Sequence, residues 1–191
     1  MIRKSEAQAP PASQLKAFFL CFLTFFVLAS CGDQDDDQTR FGPADKVFRY
    51  RESLNPIIDA VSKIETEVQE TAVGASGTAT AANLATAYER LLPELGAIRA
   101  LFEQIVPPRR LSRLHGLIGD LINLRMTAYN NVVRGFADDN EKLYDEAESL
   151  LAEANDQIPA INELLREVDV ALATTFADRG IAAKYAGLEL Y

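Results

Sequence analysis

Thiols and imidazoles, the side chains that most often act as nucleophiles, neutral-pH bases and zinc ligands, are few in these 191 residues: two cysteines, Cys21 and Cys31, and one histidine, His115. A tetrahedral zinc site takes four ligands, so a lone His would need several carboxylates around it. No Glu-x-x-His motif supplies them, since Ser112, Arg113 and Leu114 precede His115. No metal and no cofactor is therefore expected, and His115 reads as a structural residue that caps or packs beneath Pro107 and Pro108. Gly74-Ala75-Ser76-Gly77 lacks the spacing and the preceding strand of a nucleophile elbow. No glycine-rich loop ending in Lys is present to cradle a phosphate. No catalytic residue is assigned, and the chain is expected not to be an enzyme.

Two charges break the apolar pattern instead. Arg125 falls between Leu121 and Ile118 near the middle of one apolar stripe, and Glu65 falls alongside Val47 and Leu54 in another. A charge buried alone costs several kcal/mol, so each must pair or reach water along its own stem. They are natural partners for a register-fixing internal ion pair, although their axial heights differ by about one to two helical turns. The alternative is a ligand-binding or sensory bundle in which Arg125 anchors a small anionic molecule in a polar core.

Of the segments that surround and carry these residues, the first thirty read as an address. Arg3, Lys4 and Lys16 stand against a single Glu6, and an apolar run follows from Ala17 to Ser30. A spanning helix takes about 20 apolar residues, so this run is short for a permanent anchor and has the layout of a secretory signal peptide. Its end, Leu28-Ala29-Ser30-Cys31, resembles the lipobox of bacterial lipoproteins. The resemblance implies acylation of Cys31, with chains such as palmitate, and cleavage between Ser30 and Cys31, so that Cys31 becomes the first residue. The thiolate is the nucleophile that takes up diacylglycerol, and small residues before it let the protease reach the backbone. Stable anchoring takes at least two chains, at about 0.8 kcal/mol per buried methylene. Cys21 then leaves with the signal and Cys31 is blocked, so thiol and CxxC chemistry drop out together.

Gly32-Asp33-Gln34-Asp35-Asp36-Asp37-Gln38-Thr39-Arg40 has no apolar residue to pack and reads as a solvated acidic tether over residues 31–42. In lipoproteins of two-membrane bacteria, Asp directly after the lipidated Cys goes with inner-membrane retention. Gly32 at that position implies the outer membrane, and the acidic run is also similar to surface-export signals.

From residue 43 apolar positions recur at helical spacing and nowhere with period two. The stripes are Val47, Leu54, Ile58, Val61, Val68 and Ala72; then Leu84, Tyr88, Leu91, Leu95, Ile98, Phe102 and Ile105; then Leu111, Leu114, Ile118, Leu121, Ala128, Val132 and Phe136; then Leu143, Ala147, Leu150, Ala154, Ile158, Ile161, Leu165, Val168 and Leu172. They predict helices over about 44–72, 79–105, 109–136 and 140–177. Short loops between them predict an all-α, antiparallel up-down four-helix bundle over 43–178, with a short tail at 179–191. Pro43 suits a first helical turn, Asp138 or Asp139 an N-cap, and Gly180 a stop. Pro56, Pro93 and Pro159 lie inside stripes but opposite the apolar faces, where they bend long helices outward; Pro56 could instead start a helix capped by Asn55. The layout of Pro107-Pro108, Leu114-His115 and an acidic helix of spaced Ala and Leu looks like helical envelope lipoproteins, a resemblance that brings no activity with it.

Charge sharpens the reading. The formal net charge of −9 excludes a general nucleic-acid binder, which needs a basic face. Residues 1–30 carry three basic side chains and one acidic, so the remainder holds 16 basic against 27 acidic. Six arginines (99, 109, 110, 113, 125 and 134) fall between residues 99 and 134 against Glu103 and Asp120, whereas twelve acidic residues follow between 138 and 178. The corner Arg109, Arg110 and Arg113 is a candidate contact for anionic lipid or an acidic partner. The expected protein is a lipid-anchored component of the bacterial envelope whose bundle serves protein interaction or structure, with the membrane and an envelope protein as partners.

Overall fold

A computed structural model describes residues 38–73, 80–176 and Leu190 of the chain. The signal segment, Cys31, the tether up to residue 37, residues 74–79 between the first two expected helices, the stop at Gly180 and all of the tail but Leu190 lie outside the described residues. What is described is an all-α bundle. Helix α1 spans Ala44–Val73, α2 Ala81–Phe102, α3 Ser112–Asp138 and α4 Glu141–Thr175, with one 3-10 turn, Arg109–Leu111, leading into α3.

Cross-helix contacts fix an up-down course. Tyr88 stacks on Tyr129 and Phe102 on His115, so α2 and α3 run antiparallel. Asn131 reaches Glu146 and Arg125 reaches Asn155 between antiparallel α3 and α4. Arg51 meets Asp169 and Phe48 meets Phe176 between α1 and α4, closing the ring. Leu54, Leu91, Leu95, Leu121 and Ile161 are fully inaccessible at the centre. Each such side chain contributes about 1.5–3 kcal/mol by leaving water, which holds together helices whose polar faces have no reason to associate.

All three internal prolines are exposed, and α1, α2 and α4 run through them. On the solvent side the missing N–H is replaced by water at the freed carbonyl, so continuity survives. The alternative start at Pro56 does not occur: Asn55 accepts from Arg51 inside α1 instead of capping it.

Four boundary expectations need correction. Helix α2 ends at Phe102, short of Ile105 and the prolines, because Gln104 and Ile105 switch to bonds with the carbonyls of Leu101 and Phe102 and tighten the last turn. Neither Asp138 nor Asp139 caps α4; Asn140 occupies that position, while Asp139 takes a left-handed φ of 48° that reverses the chain out of α3. Asp tolerates this conformation better than most residues. The tether is shorter than residues 31–42, since β1 (Gln38–Thr39) pairs with β2 (Gly42–Pro43) in a small antiparallel hairpin. Thr39 Oγ1 donates to the Gly42 carbonyl and accepts from the Phe41 N–H, and Gly42 supplies a φ of +128°. Pro43 therefore ends the hairpin rather than opening the helix. Finally, Phe136, expected as the last residue of the third stripe, is 51% exposed, and the buried residue that faces the start of α4 is its neighbour Gly135, against Asn140, Leu143 and Tyr144.

Glycines in α3 yield a paired prediction. A Cβ on Gly116 would meet nothing within 4 Å, whereas one on Gly119 would sit 3.2 Å from the Phe102 ring. Gly116→Ala is expected to gain about 1 kcal/mol from helix propensity alone. Gly119→Ala should gain nothing, because the Phe102 ring must move off His115. Thermal unfolding of both variants checks this, and equal gains would contradict it.

Candidate functional site

Arg125 is 1% exposed, at the centre of the bundle. Its Nη1 lies 2.6 Å from Oε1 of Glu65, so the structure brings the two pattern-breaking charges together. The long guanidinium stem spans the offset in height that the sequence implied. Glu65 is also the acceptor for the Tyr129 hydroxyl at 2.6 Å, and Arg125 Nη2 donates to Asn155 Oδ1 at 3.4 Å. Tyr129 is covered by Tyr88, with ring centroids 4.0 Å apart and 10° between planes. One polar cluster thus draws on all four helices.

Electrostatics keep both phenols protonated. Burial, then the Glu65 charge, pushes Tyr88 up to about 12 against the smaller opposing pull of Arg125. Tyr129 is held far above the ordinary tyrosine range, mainly by burial and then by the same carboxylate. Tyr129 therefore acts as a hydrogen-bond donor throughout the physiological range, not as a base. Ion-pair distance does not satisfy the whole guanidinium: Nη1 meets Glu65 outside hydrogen-bonding angles, and Nε has no acceptor. Ser62 Oγ and Gln157 Oε1 are the other buried side-chain atoms without a hydrogen-bond partner among the described residues.

A second internal pair lies beyond the two charges that the sequence singled out, so among the described residues four pattern-breaking charges, not two, meet in pairs inside the bundle. Arg51, 0% exposed, donates Nε and Nη2 to the two carboxylate oxygens of Asp169 at 2.7 and 3.1 Å, and Nη1 to Asn55. Burial nevertheless raises the Asp169 pKa, outweighing the opposing hydrogen bond and charge of Arg51. The signal was present in the spacing. Arg51 stands four residues after Val47 and three before Leu54, and Asp169 four after Leu165 and three before Leu172.

His115 does not sit as a cap under the prolines. Its ring stacks on Phe102 at 4.2 Å, and its Nδ1 is 3.3 Å from the Tyr50 hydroxyl. Burial raises Tyr50 well above the normal phenol range, so Tyr50 stays a protonated phenol, and which of the two groups donates across the contact is set by the imidazole tautomer. Burial also lowers the His115 pKa. A folded state that binds the proton more weakly than the unfolded chain is favoured above the ordinary His value near 6.5, and that contribution is lost as pH falls through the lowered folded value. Stability should therefore decline between neutral pH and about pH 5, and His115→Phe should flatten that decline. Denaturant midpoints at the two pH values test this; an unchanged slope in the variant would contradict it.

Arg109, Arg110 and Arg113 lie exposed where α2 hands over to α3. Arg110 Nη1 donates to the Arg40 carbonyl at 2.7 Å, tying the hairpin to this corner, and Arg40 itself pairs with Glu167 at 2.8 Å. An open groove of about 520 Å³ lies beside the corner, lined by Lys46, Arg49, Tyr50, Gln104, Val106 and Pro107 among others. A second, of about 480 Å³, lies under the hairpin against Arg166, Glu167 and Thr174. Among the described residues no group of three His, Cys, Asp or Glu side chains could hold a metal ion, and no helix is long and apolar enough to cross a membrane. Compared with known proteins, the chain matches no family model, no curated protein and no solved structure.

Proposed function

We propose that this protein is a bacterial lipoprotein, held in the cell envelope by acyl chains on Cys31, whose bundle is a non-enzymatic interaction or structural module. The observation that carries this reading is the register of four features: a basic head, a short apolar run, Leu28-Ala29-Ser30 and Cys31. Gly32 in place of Asp favours the outer membrane in a host that has two. The module reading draws support from a core filled by apolar side chains and from the Arg51–Asp169 pair, whose charged groups serve one another. Chemical cross-linking in the native envelope tests it: a discrete adduct with another envelope protein is expected, and a chain that forms no adduct with any other protein would contradict it.

A second reading rests on the incompletely satisfied guanidinium of Arg125. Buried donors without acceptors, here Arg125 Nε and Nη1, are what a polar ligand would use. Ligand-induced thermal stabilisation that disappears in a folded Arg125→Met protein would favour this reading over the first.

A further inference from the structure

The end of the bundle that carries the hairpin differs in charge from the opposite end. At the hairpin end, Lys46 and Arg49 on α1 and Arg109, Arg110 and Arg113 before and in α3 are all exposed. Among the described residues Lys46, Arg109 and Arg113 have no acidic partner within ion-pair distance, and Arg49 donates only to the backbone carbonyl of Asp45. Exposed Asp45 adjoins Lys46, and exposed Asp120 follows Arg113 about two turns along α3; Glu103 is already paired with Arg99, and Glu167 with Arg40. At the other end, the turn from α3 to α4 presents Asp138, Asp139, Glu141 and Asp145 against Lys142.

An apolar tip stands among the cations. Val106 is 86% exposed, the most exposed large hydrophobic side chain described, and Leu101 nearby is exposed as well. Water-facing Val and Leu beside unpaired Lys and Arg suit the interface of a bilayer, where apolar groups enter the headgroup layer and cations meet phosphate. The chain leaves the bundle at the same end. The hairpin is fastened there by Arg110 on the Arg40 carbonyl and by Arg40 on Glu167, and only six residues, 32–37, separate Cys31 from Gln38. Even fully extended, that link spans no more than about 25 Å at some 3.5 Å per residue.

We infer that the hairpin end, with Lys46, Arg49, Arg109 and Arg113 around the Val106-Pro107 tip, is a docking surface for the headgroups of anionic phospholipid, holding the bundle upright with its acidic end away from the membrane. This rests on the lipoprotein reading for the anchor but not for the surface. Unpaired arginines would otherwise face a negatively charged membrane from a short tether; contact with it neutralises them.

The test uses the protein extracted from membranes and returned to vesicles of mixed phosphatidylglycerol and phosphatidylcholine, or of phosphatidylcholine alone. A fluorophore is placed on Val106→Cys or on Lys142→Cys, with a quencher in the bilayer. Strong quenching at position 106 in anionic vesicles is expected, at least severalfold above position 142. It should fall to the level seen in neutral vesicles in high salt or on Arg109→Glu with Arg113→Glu. Equal quenching at the two positions overturns the proposal, as does quenching at 106 that ignores both salt and charge reversal. The same labelling on otherwise unaltered protein separates the two readings. If Cys31 itself takes the fluorophore, the lipid anchor fails, and flotation of that protein with anionic vesicles then decides the surface: flotation on anionic but not neutral vesicles supports it, and none overturns it.

Discussion

Glu65→Ala should destabilise the bundle by about 3–5 kcal/mol, whereas Arg125→Met should cost about half of that or less. The asymmetry follows from exposure, since Arg125 is fully enclosed while the Glu65 side chain keeps 26% of its surface in contact with solvent. Removing the carboxylate strands an enclosed, charged guanidinium with Asn155 as its one remaining acceptor among the described residues. It also takes away the acceptor of the Tyr129 hydroxyl. Removing the guanidinium leaves Glu65 able to hydrate and still bonded to Tyr129, and Met fills much of the volume. Domains of this kind hold only some 5–15 kcal/mol in total, so Glu65→Ala alone could prevent folding. Glu65→Leu combined with Arg125→Met covers that case, because exchanging both members of a buried pair for apolar groups restores most of the loss. Urea denaturation of the three variants gives the comparison. Equal losses from the two single substitutions would contradict this view of the core.

The largest effect on location is expected from Cys31→Ser. Serine has no thiolate, so no diacylglycerol is attached, and the peptidase that acts on the acylated form has no substrate. Growth with labelled palmitate should show incorporation into the unaltered protein and complete loss from the variant. The variant should also migrate as a longer chain that retains residues 1–30. Its Ala17–Ser30 run is too short to span a bilayer securely, so a weaker and alkali-extractable membrane association replaces a permanent one. Palmitate retained by Cys31→Ser would place the lipid elsewhere, and the lipobox reading would fall.

How much of this was legible beforehand depended on which physics set each feature. The four helices follow from apolar periodicity, because burying an apolar stripe is the strongest force driving the chain together and its 3.6-residue spacing can be read along one chain. Helix ends were less legible. The close of α2 at Phe102 depends on a local switch in hydrogen bonding, and the turn at Asp139 on one residue adopting φ of 48°. The hairpin at residues 38–43 was hidden because its four paired residues have no periodicity to read. For the polar core, Arg125 and Glu65 announced themselves by sitting in apolar stripes. Arg51 and Asp169 did so equally, but a stripe traced through its apolar members lets a charged residue at a core position pass as surface. Tyr129 carried the same signal, four residues after Arg125 and three before Val132. Which carboxylate meets which arginine could not be read from either helix alone, because side-chain reach offsets the axial mismatch.

The intact mass of the protein extracted from membranes tests the central claim most directly. The expected result is a chain beginning at Cys31, heavier than its sequence by the glyceryl and acyl groups, with no thiol free to react with maleimide. A mass that includes residues 1–30, or an unmodified Cys31 that takes up maleimide, would contradict it.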